Sequence, residues 1–113
     1  MKTSELTGAA LDWAVAKCEG VTVLPKMRGG CYATLVRGET VLLCYSTDWA
    51  QGGPIIEREC IDVMFEGPEW YAYMRWASGR MIQYDGDTPL IAAMRCYVAS
   101  KLGAEVDVPD ELL

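Results

Sequence analysis

The run from Thr88 to Gly103 is the stretch of this sequence with the fewest ways to fold. Thr88 has the side chain of an N-cap, Pro89 suits the first helical position, where no N–H bond is lost, and Gly103 after Lys101 suits a C-terminal stop. Ile91, Met94, Val98 and Leu102 recur at helical spacing, widened by Leu90 and Tyr97. The helix is therefore expected to lay an apolar stripe over one face of a sheet.

The remaining segments supply that sheet. Thr7 can cap a first helix and Gly20 can end it in a left-handed turn, with Leu11, Ala14, Val15 and Cys18 on its apolar stripe and Trp13 pointing off it. Val21 to Leu24, Cys31 to Val36 and Thr40 to Tyr45 are rich in β-branched and aromatic residues and read as strands. Pro25 to Gly30 and Arg37-Gly38-Glu39 punctuate them, the second break being short enough for a hairpin. Ser46 to Pro54 breaks every period and reads as a loop with at most a helical turn. Strand character resumes at Ile61 to Phe65, and Trp70 to Trp76 and Arg80 to Tyr84 flank Ala77-Ser78-Gly79 as a second hairpin. The tail from Glu105 to Leu113 suits a short edge strand or a draped extension. The expected fold is α+β: a single domain over residues 1–113, with an antiparallel sheet of about five strands packed with two helices in the order helix, strands, helix.

Composition narrows the function. At 113 residues, with 51% apolar and 23% charged, the chain fits one globular core and falls outside the disordered range. Its longest apolar runs, such as Val41 to Tyr45, are strand-sized, and Met1 to Glu5 does not open a secretion signal, so a cytoplasmic location without membrane insertion is expected. Ten cations, scattered along the chain, stand against 16 acids, a net charge of −6 that repels duplex nucleic acid. The absence of His removes the usual general base and the commonest zinc ligand. Five widely spaced cysteines without a C-x-x-C pair read as small buried hydrophobes, Cys60 being the one expected at the surface.

Ligand chemistry concentrates between the strands. Ser46 and Thr47 offer hydroxyls, Asp48 a carboxylate, Trp49 an indole and Gln51 an amide, while Gly52 and Gly53 let backbone N–H groups approach an anion. The competing reading of the same residues is a capped turn in which Asp48 and Gln51 bond the backbone and Trp49 plugs the core. Alternation along Trp70 to Trp76 sends Tyr71, Tyr73 and Arg75 to one sheet face, where they can stack on a ring. Arg28, Arg75, Arg80 and Arg95 are the candidate phosphate partners. Asp85-Gly86-Asp87 is short of ligands for a dedicated cation loop, so no metal or cofactor is expected.

Three long strings, Leu6 to Lys17, Ser46 to Glu59 and Thr88 to Gly103, together make the chain resemble the NinX-like family of small proteins of lambdoid bacteriophages and prophages. The resemblance implies a phage or prophage origin and action inside an infected bacterium, and it supplies no reaction. In that family a Gly usually follows the Glu-Arg-Glu triplet, where this chain has Cys60, so a left-handed turn there would be altered. The resulting expectation is a non-enzymatic accessory protein, a homo-oligomer that binds a small nucleotide-like ligand and sequesters a host anti-phage signal. The alternative is an interaction module that modulates a host or phage protein through Trp13 or Trp49. A magnesium-dependent enzyme using Asp85 and Asp87 ranks third.

Overall fold

The computed structural model describes residues 1–24 and 32–110. Arg28, Cys31, the Pro25–Gly30 break and the last three residues of the tail lie outside that description. After a 3-10 turn at Thr3–Glu5 come α1 (Gly8–Glu19), β1 (Tyr32–Val36), β2 (Glu39–Leu43), α2 (Trp49–Glu59), β3 (Asp62–Glu66), β4 (Glu69–Arg75), β5 (Met81–Gly86) and α3 (Pro89–Leu102). The fold is α+β, but the strands form two antiparallel sheets, β1-β2 and β3-β4-β5, in place of one sheet of five. Three α-helices, not two, pack with them.

The division follows from α2. The segment from Trp49 is helical despite Gly52-Gly53-Pro54, because Asp48 caps it, its carboxylate accepting the Ala50 N–H at 2.9 Å, and Ile55 is buried. Pro54 has no N–H to give to the preceding turn, so tertiary packing overrides a local breaker here. A helix inserted between β2 and β3 carries the chain away from the first hairpin before the second sheet begins. The Val21–Leu24 stretch forms no strand. It runs as extended chain beside β1, with the Leu24 N–H donating to the Ala33 carbonyl at 2.8 Å and the Thr34 hydroxyl to the Thr22 carbonyl at 2.7 Å.

The expected caps of α3 are present: Thr88 Oγ1 accepts the Ile91 N–H at 3.1 Å, Pro89 opens the helix and Gly103 closes it. The helix is not laid on one face, however. Leu90, Ala92, Ala93, Met94, Cys96, Tyr97, Val98 and Ala99 are all buried, whereas Leu102 is exposed. Such a helix has to be covered all round, and the second sheet, α1, α2 and the N-terminal turn share that task. Gly86 lets β5 come up against the backbone of α3, since a Cβ there would lie 2.6 Å from the Ala92 nitrogen. The chain ends are tied together: Thr3 donates through its N–H to Ala104 and through its hydroxyl to Gly103, and Met1 and Val106 exchange backbone bonds at 2.9 Å. The tail is thus a draped extension with one bridge, Lys2 to Glu105.

Among the described residues, both turns with positive φ outside glycine have identifiable causes. Arg37 (φ 52°) and Gly38 (φ 81°) close the β1–β2 hairpin, matching its twist. Cys60 (φ 54°, ψ 48°) is the left-handed C-cap of α2, its N–H reaching Glu57 and Ile56. The left-handed turn is therefore made with a side chain in place, at a conformational cost of about 1–2 kcal/mol. Because Cys60 is exposed, Cys60→Gly is expected to raise stability by about 0.5–1 kcal/mol, net of the added freedom of the unfolded chain. Urea denaturation measures this, and a loss of stability would contradict the assignment.

Candidate functional site

Asp12 sits on α1 with only 8% of its surface exposed, and its carboxylate accepts the Ser46 N–H at 2.8 Å. Burial pushes the Asp12 carboxyl above its ordinary range, and the bond from Ser46 works against that rise. Ser46 is 2% exposed, and its hydroxyl, without a well-aligned partner, lies near the same carboxylate. This contact pins the turn after β2 to α1.

From that anchor the ligand-type residues diverge. Ser46, Thr47 and Trp49 meet Thr88, Leu90 and Ile91 around a small cleft of about 210 Å³, and Trp49 itself is 55% exposed. Asp48 is occupied as the cap of α2. Gln51 turns the other way: its carbonyl oxygen accepts the Cys44 N–H at 2.9 Å and its amide donates to the Leu42 carbonyl at 2.8 Å, taking the place of a neighbouring strand on β2. Gly52 is pressed against the Tyr45 carbonyl and Leu90, where a Cβ would lie at 2.5 and 2.6 Å; Gly53 has only Trp49 nearby, at 3.7 Å.

The aromatic and cationic candidates are on other surfaces. Tyr71, Tyr73 and Arg75 lie on one face of β4, opposite buried Ala72 and Met74, as alternation predicts. Arg75 reaches Asp62 at 3.4 Å across two exposed side chains. Arg95 is structural, its guanidinium donating to the carbonyls of Leu6 at 2.8 Å and Asp85 at 2.9 Å and so tying α3 to the N-terminus and β5. Trp13 packs beside the core under Lys17.

A further concavity was not signalled by any of these residues except Gln51. The hairpin is rooted on α1 by a small cluster of Tyr32, Leu43 and Ala16, and its distal residues Leu35, Val36 and Val41 are exposed. One of its faces contributes to a pocket of about 410 Å³ walled by Val21, Val36, Val41, Leu43 and Tyr45, with Thr22, Thr34 and Gln51 among its lining. Tyr45 is half-buried, and its hydroxyl is shifted upward by burial, then by the charges of Glu19 and Asp12. The sequence signal for this feature is apolar residues at both parities: Val36 and Val41 line the pocket, while Leu35 and Leu42 belong to the opposite face, Leu35 reaching the rim.

Reactive groups are not assembled there. Burial pushes the Cys18 thiol up to about 11 and the Cys96 thiol up to about 12, so both stay protonated at neutral pH.

The family model described as Bacteriophage P22, NinX matches residues 2–101. The chain belongs to this NinX family of phage proteins. Its fold is similar to the crystal structure of a phage protein from Bacillus cereus ATCC 14579, with a TM-score of 0.60 and 16% identity over 88% of this chain and 87% of that one. No curated protein matches the chain. Among the described residues of this NinX-family chain, no helix is long and apolar enough to cross a membrane.

The packing of α2 makes a paired prediction. Helix-interior Gly→Ala normally stabilises by up to about 1 kcal/mol. Gly53→Ala should do so, whereas Gly52→Ala should destabilise by about 1–3 kcal/mol because backbone and Leu90 must move. Equal effects in chemical denaturation would refute the close approach of α2 to Tyr45.

Proposed function

We propose that this NinX-family chain is a non-enzymatic binding protein that takes a small molecule with a flat, largely apolar body, such as the base of a nucleotide-like compound, into the pocket beneath the β1–β2 hairpin. The observation that carries the reading is the pocket itself, about 410 Å³ with apolar walls and a few polar groups at one edge. That size falls within the ~300–1,000 Å³ of small-molecule sites. Tyr45 and Thr22 bring polar groups to the lining, where the Thr34 hydroxyl is already given to the Thr22 carbonyl, and among the described residues no Lys or Arg lines the walls. The chain has no His, and burial holds the Cys18 and Cys96 thiols protonated, so neither thiol serves as a base at neutral pH. Binding without turnover in an infected cell amounts to sequestration.

A second reading is favoured by a different observation. Leu35 and Leu42 share the outer face of the hairpin by register, Leu35 also reaching the pocket rim, and are 56% and 47% exposed. Diagonally neighbouring apolar side chains there suit self-association, a second copy covering the outer face of the hairpin.

Two substitutions separate the readings. Val41→Trp fills the pocket, and Leu42→Glu charges the opposite face. In native mass spectrometry of protein gently purified from phage-infected bacteria, the wild type is expected to carry a discrete small-molecule mass that Val41→Trp lacks. Leu42→Glu should keep that mass and lose the dimer. Bare wild-type protein, or a bound mass indifferent to Val41→Trp, would overturn the pocket reading; a wild-type monomer would overturn the second.

A further inference from the structure

The β3-β4-β5 sheet has one face on the core and one that no described element covers. Register fixes what lies side by side on the open face. Glu66 pairs directly with Glu69, Tyr71 lies between Met64 and Asp85, and Tyr73 lies between Asp62 and Gln83. Like charges placed directly opposite each other weaken a sheet. Here Asp85, and more distantly Asp87, hold the Glu69 carboxyl above its ordinary range, and the Tyr71 hydroxyl is shifted upward by burial and then by Glu69, Asp85 and Glu66. The one cation that the register places on this face, Arg75, is at its far end and is paired with Asp62. The open face thus joins two half-buried tyrosines and a methionine, residue types enriched at interface cores, to crowded carboxylates.

We propose that this face docks an arginine-rich segment of a partner protein, the guanidinium groups stacking on Tyr71 and Tyr73 and pairing with Glu66, Glu69 and Asp85. Charge complementarity selects the partner: a nucleic acid or another acidic protein adds to the repulsion, whereas a guanidinium both relieves it and matches the tyrosine faces. Arginine is favoured over lysine because its planar fork can stack and bridge carboxylates at once. The proposal uses a surface separate from the hairpin pocket and stands independently of it.

The test is titration of the ¹⁵N-labelled full chain with a short arginine-rich peptide, with a citrulline-substituted peptide as the neutral isostere. Shift changes are expected to centre on Glu69 to Tyr73 and their neighbours on β3 and β5, and the citrulline peptide should leave them unmoved. The Glu69→Gln/Asp85→Asn double variant, which removes repulsion and so keeps the fold, should weaken binding about tenfold or more. Tyr71→Thr preserves net charge and strand propensity and should also weaken it. Shifts scattered over all acidic surfaces, or Tyr71→Thr binding as tightly as wild type, would reduce the effect to diffuse attraction and overturn the proposal.

Discussion

Covering α3 is the constraint on which the rest of the molecule depends. Its buried residues run round most of the helix, and the second sheet, α1, α2 and the N-terminal turn are all committed to it. The ties that hold these elements in place converge there: Gly86 lets β5 reach its first turn, Arg95 bonds both β5 and the N-terminal segment, and Tyr97 donates to Glu19 at 2.5 Å while Arg58 closes the group from α2. Once these elements have closed on α3, the first hairpin is left to mount elsewhere, on α1.

That mounting is slight. Among the described residues Tyr32 and Leu43 are the two large fully buried side chains of the second cluster, with Trp13, Val21, Val23 and Tyr45 partly buried against it, and burial of each of the two is worth about 1.5–3 kcal/mol at most. Gln51 adds two hydrogen bonds along β2. A two-stranded ribbon is marginal by itself, and this one is apolar on both faces beyond its root. Val36 and Val41 over the pocket, and Leu35 and Leu42 on the far side, are all at least partly exposed. The physical imbalance between a tightly covered α3 and a lightly held hairpin is what leaves apolar surface exposed on the hairpin.

Local chemistry was legible wherever one residue decides a conformation. Thr88, Pro89 and Gly103 mark the bounds of α3, Gly20 ends α1, and alternation sorts Tyr71, Tyr73 and Arg75 from Ala72 and Met74. What could not be read was decided by distant partners. Gly52-Gly53-Pro54 looks like a loop because its local preferences are poor for a helix, yet Gly52 is there because Tyr45 and Leu90 leave no room for a Cβ. The buried carboxylate of Asp12, on a helix far upstream, fixes Ser46, and no local pattern announces that pairing. The same holds for the ligand-type residues: Ser46, Thr47 and Trp49 share a small cleft, but Gln51 faces β2, Tyr71 to Arg75 face outward from the second sheet, and Arg95 serves the core. Strand propensity likewise could not say that five strands would divide between two sheets, since the division depends on the helix hidden in that apparent loop.

Amide hydrogen exchange on the isolated protein tests the central claim most directly, by comparing β1 and β2 with the middle of α3. A lightly mounted hairpin predicts that hydrogen-bonded amides at Thr34 and Val41 open at a distinctly lower free energy than those of Met94 to Val98, through a local event that spares the second sheet. Equal protection at both places, with exchange only by global unfolding, would contradict it and show the hairpin to be an integral part of the α3 core.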